Sequence, residues 1–431
     1  MAAGIIVVMV VGVVLMLTRK LPTAFALILM AVAIALIVGT PLMGSTNSVT
    51  TTVLETGSTL LASTMIAILM GAWLGKLMDE TGIASTLVRK TVEFAGDRPY
   101  VVALGLFAVA TLCGSVTGSA PAAMLAGIIG IPAMIAVGVP AVTAAGTIAF
   151  GVAAGIPFEL ASWQYLSTAL KLPVASIRHF QLYMFPIIVV CAVAYILVES
   201  RRRGVQHAWA VELAPQNEAP TAEPRRKRRA DAPWYSLISP IVPIVLALGF
   251  DVPIVPSLLV GVIYVLATTT RPADMTQRAL RTLYDGFRVA APALVLFIAI
   301  GILLTAVELP SAVTALKPVT TAISPHNPIL FVVVFAILTP LCLYRGPFNI
   351  YGLGAGIASV LMAAGVYPAM GVLGLMSSYN EVLGTSDPTS TQTVWSAEYA
   401  GVRPERVMAR TLPYTWVLAT AGLVLTAALY L

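Results

Sequence analysis

The amino-acid sequence predicts an all-α protein that crosses a membrane many times and consists of two inverted-topology repeats. The chain is 58% hydrophobic and only 10% charged, whereas soluble domains are about 25% charged. Its apolar runs reach the roughly 20 residues that a membrane helix needs. Polar interruptions containing Gly and Pro also recur at matching places in the two halves. Such matched interruptions are the strongest sequence indication of a transporter binding site.

The first repeat is predicted to span residues 1–199. Met1 to Leu17 has no charged leader segment and is predicted to be the first membrane helix. Two apolar arms surround a polar tip at Gly114–Pro121, and each arm is short for a span, so we expect a re-entrant hairpin. The predicted parts are scaffold helices over 1–78, an arm over 80–98, a hairpin over 100–137, a broken helix over 140–162 and a closing helix over 180–199.

Residues 200–233 are basic and rich in Pro, which predicts a disordered cytoplasmic linker. Its Arg and Lys residues either bind anionic lipid headgroups or only fix the topology.

The second repeat is predicted to span 234–431, in the same order and with opposite orientation. Residues 272–287 are predicted to form a second interfacial arm. The other predicted parts are scaffold helices over 234–307, a hairpin over 328–364, a broken helix over 368–400 and a closing helix over 411–431.

The distribution of basic residues supports this topology. With both termini outside and both hairpins re-entrant, 21 of the 25 Lys and Arg residues lie on the cytoplasmic side, as the positive-inside rule requires. Lys171, Arg178 and Lys317 fall outside, and Arg345 lies within the membrane. The net charge of +6 therefore reflects cytoplasmic loops, and we expect no nucleic-acid partner.

The interruptions have the chemistry of an ion and substrate site. A broken helix exposes free N–H groups at one half-helix and free carbonyls at the other. The N–H end suits an anion, and the carbonyl end suits a small cation such as Na⁺. The predicted substrate-binding residues are Ser115, Thr117, Ser119, Arg345, Asn349, Thr385, Ser386 and Thr389. The predicted coupling-ion residues are Ser115, Gly155, Glu381, Asp387 and Ser390.

Several roles stay open at this stage. Arg345 either holds a carboxylate through its two-pronged guanidinium or pairs with Asp387 or Glu381. Asp387 ligates a cation, carries a proton, contacts the substrate, or caps the following half-helix. Glu159 and Glu308 are expected at the outer interface. No nucleophile–base pair or metal-ligand cluster in the sequence supports an enzyme, and no cofactor is expected beyond a coupling Na⁺.

Three stretches resemble the ion transporter superfamily, which includes the membrane subunits of tripartite periplasmic (TRAP) transporters and the gluconate, citrate, lactate and C4-dicarboxylate permeases. Glu80–Pro99 is similar to the interfacial arm. Gly114–Pro121 with Gly155–Pro157 resembles the first hairpin tip and break, and Arg345–Asn349 with Gly384–Ser390 resembles the symmetric pair. The resemblance implies a homodimer in the cytoplasmic membrane, with a fixed scaffold and a moving domain that carries organic anions by an elevator mechanism driven by Na⁺ or H⁺.

The sequence thus predicts a secondary active transporter for a small, carboxylate-like anion. One alternative is the membrane subunit of a binding-protein-dependent system, which would need a soluble partner and usually a small four-helix subunit. The other is a channel. Substrate identity, the direction of transport and the choice between Na⁺ and H⁺ remain open.

Overall fold

The computed structural model describes residues 1–18, 20–44, 47–202, 231–325 and 327–431. Within these residues all regular secondary structure is helical. Eight of the described helices are long and apolar enough to cross a membrane. The predicted all-α, multi-span architecture is therefore confirmed. The predicted linker 200–233 lies, apart from its two ends, outside the described residues.

The described part of the first half contains ten α-helices. A π-helical turn, Val49–Thr56, precedes the third, and a 3₁₀ turn, Ile156–Phe158, separates the eighth from the ninth. The helices are α1 Ala2–Leu17, α2 Thr23–Ile37, α3 Gly57–Thr59, α4 Ala62–Glu80, α5 Ile83–Ala95, α6 Pro99–Thr117, α7 Ser119–Ala136, α8 Ala141–Gly155, α9 Leu160–Leu170 and α10 Val174–Arg202.

The second described half repeats this order with nine α-helices. Short 3₁₀ turns lie at Trp234–Ile238, Pro272–Asp274 and Thr339–Arg345. The helices are α11 Ile241–Gly249, α12 Ile254–Thr269, α13 Met275–Val307, α14 Pro310–Ile323, α15 Pro328–Leu338, α16 Leu353–Ala363, α17 Ala369–Ser386, α18 Thr391–Tyr399 and α19 Pro404–Tyr430.

Helices α6 and α7 form the first hairpin. The chain reverses at Gly118, which has a φ of 48°, a conformation that glycine adopts without steric cost. Leu106 and Gly130 are equally far from Gly118 in sequence, and a Cβ added to Gly130 would lie 3.3 Å from Leu106 Cδ2. Contact between residues equidistant from the turn shows that the two arms run antiparallel.

The second hairpin also returns to its starting end. The Tyr367 hydroxyl donates to the carbonyl of Pro325 over 2.7 Å, and the Phe331 and Tyr367 rings lie 5.2 Å apart. The intervening chain contains α15, the kinked turn Thr339–Arg345 and α16. Residues before and after this excursion therefore meet at one end of the molecule.

The two broken helices lie at the centre of the protein. Every residue of α8 from Val142 to Gly155 is buried, as is every residue of α17 from Gly371 to Ser386. Helices in a membrane gain little from excluding water between them, so small residues that permit close packing favour their association. A Cβ added to Gly151 would lie 2.8 Å from the carbonyl oxygen of Phe107, which shows how closely α6 and α8 approach.

The structure corrects the position of the second arm. Residues 275–287 continue without interruption into the membrane helix, forming the 33-residue α13. They pack along α4: the Trp73 indole donates to Thr282 Oγ1 over 3.0 Å, and a Cβ on Gly286 would lie 3.0 Å from the Trp73 backbone. In the first half, α5 lies between the long helix α4 and the hairpin. The element in the equivalent place of the second half is α14, which lies between α13 and the hairpin.

Other boundaries also differ from the predicted ones. The arms of the first hairpin have 19 and 18 residues, so each reaches the length of a span and the hairpin is defined by its reversal at Gly118. The second part of the first broken helix continues to Leu170 instead of 162, because its 11 residues contain no Gly or Pro. Lys171, with a φ of 53°, ends it. The closing helix α10 begins at Val174 instead of 180.

Candidate functional site

The two helix breaks meet at the buried centre. We call Ile156–Glu159 break 1 and Asp387–Ser390 break 2. Gly384, in the last turn of α17, faces the last turn of α8: a Cβ added there would lie 3.2 Å from Ala153 Cβ. Both helices end beside this contact, and the Gly384 carbonyl accepts from Gln392 Nε2 over 2.9 Å where a further turn of helix would have supplied a backbone N–H. The geometry brings the ends of four half-helices into one region.

The first hairpin tip, which we call tip 1 (residues 114–121), packs directly on break 1. A Cβ added to Gly155 would lie 2.5 Å from both Gly114 C and Ser115 N. Only glycine permits this approach of two helix backbones. The side chain of Glu159 also reaches tip 1, since a Cβ on Gly118 would lie 2.5 Å from Glu159 Oε1. Glu159 therefore belongs to the candidate site rather than to the outer interface predicted for it.

The polar side chains of tip 1 have different environments. Ser115 is 5% exposed, and its hydroxyl donates to the carbonyl of Leu112 over 2.8 Å. The Thr117 hydroxyl is buried and has no hydrogen-bond partner among the described residues. Ser119 is exposed and adopts a φ of 56°. Only Ser119 is open to a bound molecule in this conformation.

The tip of the second hairpin, tip 2 (residues 343–352), is held by Asp387. Tyr344 and Arg345 have φ values of 54° and 58°, a conformation that is unfavourable for non-glycine residues. The Tyr344 N–H donates to Asp387 Oδ1 over 3.1 Å. The N–H and the hydroxyl of Thr389 donate to the same oxygen over 2.9 and 2.8 Å. Asp387 thereby connects break 2 to tip 2 and is 2% exposed.

The other predicted residues at break 2 and at the end of α17 are occupied by local contacts. The Thr385 carbonyl accepts from the Thr393 hydroxyl over 3.2 Å, and the Ser390 hydroxyl donates to Thr393 Oγ1 over 2.7 Å. The Ser386 hydroxyl lies 2.8 Å from Thr411 Oγ1 and 2.7 Å from Thr415 Oγ1 on α19. Ser386 therefore faces the closing helix, and a contact with substrate is not seen.

Asn349 shapes tip 2 internally. Its Oδ1 accepts from the Tyr351 N–H over 2.9 Å, and its carbonyl accepts from the Gly352 and Gly354 N–H groups. These bonds fold residues 349–354 into a compact turn that brings the Tyr351 ring into the centre. That ring stacks on Tyr165 with centroids 5.8 Å apart, and the Tyr165 hydroxyl donates to the Ile350 carbonyl over 2.6 Å.

Arg345 is half-buried at tip 2. No ion pair of its guanidinium is seen among the described residues, although its charge acts on Asp387 through space. The predicted direct pair with Asp387 or Glu381 is therefore not formed in this conformation. Its planar donors remain available for an oxyanion.

Glu381 lies deepest in the site, on α17. It is 1% exposed, and its Oε2 accepts no hydrogen bond from any described residue. The neighbouring Asn380, 2% exposed, has an equally unpartnered Oδ1.

Reasoning from the sequence missed Tyr351 and Asn380. The adjacent polar pair Asn380–Glu381 inside the apolar run of α17 was a usable signal, because polar groups at membrane depth are costly and are retained for function. Tyr351 carried no such signal, since tyrosine is common at the membrane surface.

The donor atoms at tip 1 and break 1 fit a coupling Na⁺ better than those at break 2. At tip 1, the Thr117 hydroxyl is buried without a hydrogen-bond partner among the described residues, and Glu159 Oε1 lies beside Gly118, so both can offer an oxygen to a cation. At break 2, Asp387 Oδ1 already accepts three hydrogen bonds, and those donors would repel a cation. The residues that would hold Na⁺ are thus Ser115, Thr117 and Gly155.

Paired hairpins and broken helices that meet at a buried polar centre define a membrane transporter built from two halves of matching element order. The chain belongs to the family described as "Tripartite ATP-independent periplasmic transporter, DctM component", which matches residues 8–431. No curated protein sequence matches the chain.

One similar solved structure is described as the "Crystal structure of the Alcanivorax borkumensis YdaH transporter reveals an unusual topology". It aligns with a TM-score of 0.62 at 15% identity, covering 97% of this chain and 98% of that chain. At this identity the likeness establishes the fold alone.

Proposed function

We propose that this protein is a secondary active transporter that moves a small organic anion across the cytoplasmic membrane by an elevator mechanism. The observation that carries the proposal is the meeting of both hairpin tips and both helix breaks around the buried junction of Ala153 and Gly384. Arg345, without an ion pair there among the described residues, supplies the charge for a carboxylate. A single site that binds anion and coupling ion together is what coupled transport requires.

The packing supports a division into two bodies. Helices α2, α4, α12 and α13 pack on one another and form the proposed scaffold, whereas α6–α10 and α15–α19 enclose the site and form the proposed moving body. Few polar bonds connect the two. The Glu308 carboxylate, at the end of α13, accepts from Lys171 over 2.6 Å and from Ser359 over 2.5 Å. Such a small set of contacts can be broken and remade during a translation.

The proposed coupling ion is Na⁺ or H⁺, and the proposed assembly is a homodimer surrounded by lipid, with both termini outside. The unpartnered oxygens near tip 1 and on α17 support an ion site at the centre.

Uptake by purified protein in liposomes tests the proposal. Radiolabelled succinate, citrate, gluconate and lactate are supplied with an imposed Na⁺ gradient, an imposed pH gradient, or neither. We expect saturable accumulation of at least one carboxylate only when a gradient is present. Absence of gradient-dependent accumulation of all four, or a conductance that does not saturate, would refute coupled anion transport.

A second candidate is favoured by the family match, whose description names a tripartite transporter. In this alternative the protein is the membrane subunit of a binding-protein-dependent system and acts only with a soluble partner. The same liposomes decide between the two. Uptake that requires an added soluble binding protein, encoded beside this chain, supports the subunit, whereas uptake by the purified chain alone supports an independent permease.

A further inference from the structure

Tip 1 rests on the scaffold helix α4 at a pair of buried glycines, Gly71 and Gly75. A Cβ added to Gly71 would lie 2.7 Å from the carbonyl oxygen of Val116. A Cβ added to Gly75 would overlap Thr117 Cγ2. Residues four apart lie on the same face of a helix, so the two glycines form one shallow depression, which we call the α4 notch. The last turn of α6 fills this notch.

The opposite side of α4 is fixed within the scaffold. The Trp73 indole donates to Thr282 Oγ1 of α13 over 3.0 Å, and a Cβ added to Gly261 of α12 would lie 3.2 Å from Leu74 Cδ2. Trp73 is two residues from each glycine of the notch, which is about 200° around the helix. Helix α4 therefore packs on the scaffold with one side and presents the notch to the proposed moving body with the other.

The α4 notch fits tip 1 at one height only. A shift of tip 1 by one turn of α4, about 5.4 Å, would place Ala67 or Asp79 where a glycine now lies. A side chain at that position would hold the tip away, because the Val116 carbonyl and the Thr117 methyl group already occupy the space that a Cβ needs. The contact therefore defines a single position of tip 1 along the helix.

The contact contains no hydrogen bond that would be lost on separation. The Thr117 hydroxyl has no hydrogen-bond partner among the described residues, and the glycines of α4 offer only backbone that is already part of a helix. Small residues in membrane helices permit such close packing. A steric fit of this kind can be left and re-entered without leaving a polar group unpaired, whose burial would be costly.

We propose that the α4 notch positions the moving body, and that tip 1 lies in the notch at one end of the translation and leaves it at the other. The inference rests on the proposed function and names the scaffold residues that set one stopping point. Gly71 and Gly75 are positioning residues, since they act through tip 1 and do not touch the anion. Because tip 1 carries Ser115 and Ser119, the height at which it stops also sets the height of the candidate site.

A distance measurement on full-length protein in liposomes tests the proposal. Fluorophores are attached to Thr276→Cys on α13 and Glu398→Cys on α18, which are exposed, unlike the three buried native cysteines. Gly75→Ala places a methyl group against Thr117 Cγ2, so a displaced population should gain over the wild-type one by about 5- to 150-fold. Thr117→Ser removes Cγ2 and keeps the hydroxyl, so adding it to Gly75→Ala should restore the wild-type distances.

Two matched substitutions separate positioning from a general loss of packing. Gly71→Ala meets the backbone carbonyl of Val116, so it should displace the moving body as Gly75→Ala does, and Thr117→Ser should not reverse its effect. Gly57→Ala would place a Cβ 2.7 Å from Ile302 Cα of α13, on a contact that does not involve tip 1. It should lower thermal stability and leave the distances unchanged.

The outcomes distinguish this inference from the proposed function. Wild-type distances in Gly75→Ala, or displaced distances that Thr117→Ser does not restore, would overturn the inference and leave the proposed function intact. If none of the four carboxylates accumulates, the proposed function fails. The distances need no transported substrate, so they would then still decide whether the α4 notch positions tip 1.

Discussion

Replacing Asp387 by Ala should open tip 2 without unfolding the protein. The carboxylate accepts the Tyr344 N–H of tip 2 over 3.1 Å, and this is the bond that crosses from break 2 to the hairpin. Its other two partners both belong to Thr389, within break 2. A hydrogen bond to a charged group contributes about 1.5–3 kcal/mol. At 1.4 kcal/mol for each factor of ten, losing the bond should raise the open population of tip 2 by about 10- to 150-fold.

A native cysteine reports this opening. Cys342 lies at the base of tip 2 and is 0% exposed, so a thiol reagent reaches it only when the tip moves away. The rate of maleimide labelling at Cys342, followed by mass spectrometry of its peptide, should therefore increase by the same factor in Asp387→Ala. Cys113, also 0% exposed, belongs to α6 and should keep its wild-type rate, which separates local opening from unfolding.

Two variants serve as controls for the magnitude. Asp387→Asn retains an oxygen acceptor without the charge, so its labelling rate should increase by less than about tenfold. Thr389→Val removes only the hydroxyl bond within break 2 and should leave the rate unchanged. Wild-type labelling of Cys342 in a folded Asp387→Ala protein would refute the assignment of Asp387 as the residue that holds tip 2.

Three further variants test other parts of the structure. Gly155→Ala would place a Cβ 2.5 Å from the Gly114 and Ser115 backbone. It should lower the free energy of unfolding by about 1–3 kcal/mol, measured by thermal denaturation in detergent. Gly249→Ala, where a Cβ would have nothing within 4 Å, should leave the free energy of unfolding unchanged. Arg345→Lys loses the planar pair of donors and should weaken the apparent affinity for a carboxylate about tenfold, measured by uptake kinetics; an unchanged affinity would assign Arg345 a structural role. Lys171→Gln removes an ion pair in which Lys171 is 70% exposed, so the free energy of unfolding should change by no more than about 1 kcal/mol. Single-molecule measurements of the distance between α9 and α13 should nevertheless show a shifted population.

The spans and both hairpins were predictable because apolar runs extend over long segments and because the basic residues are concentrated between them. Two apolar arms around a polar tip predict a reversal wherever it occurs, and the reversals at Gly118 and in tip 2 follow this rule. The position of the second arm was not predictable in this way. Residues 272–287 are amphipathic in isolation, and only the contact of Gly286 and Thr282 with Trp73 shows that one face of the segment, with these two small residues, is covered by α4.

The site was predictable by position but less well by role. Every predicted residue lies at a tip, at break 2, in α17 or, for Gly155, at the end of α8, yet Ser386 faces α19 and Asn349 bonds within its own turn. The polar residues of a broken helix can be found in a sequence, but the direction in which each side chain points cannot. The break interrupts the helical periodicity from which the face of a residue is inferred. Glu159 was misplaced for the same reason.

The two halves therefore divide the chemistry differently from what their sequences suggest. In the sequence, the second half has more polar residues at its tip and break than the first half has. In the structure one oxygen of its carboxylate, Asp387 Oδ1, accepts three hydrogen bonds and holds tip 2 in place. The first-half carboxylate, Glu159, instead lies against Gly118 at a tip that offers an exposed hydroxyl.

This difference has a measurable consequence. If Asp387 only holds tip 2 in place and Glu159 takes part in ion binding, replacing each carboxylate by its amide should affect different measurements. Asp387→Asn should change the labelling of Cys342 and leave the pH dependence of uptake unaltered. Glu159→Gln should leave Cys342 labelling unaltered and change the Na⁺ or pH dependence of uptake, because it removes the carboxylate that lies beside Gly118 at tip 1. Identical effects of the two substitutions would contradict the division, since a symmetric pair of carboxylates would then share one role.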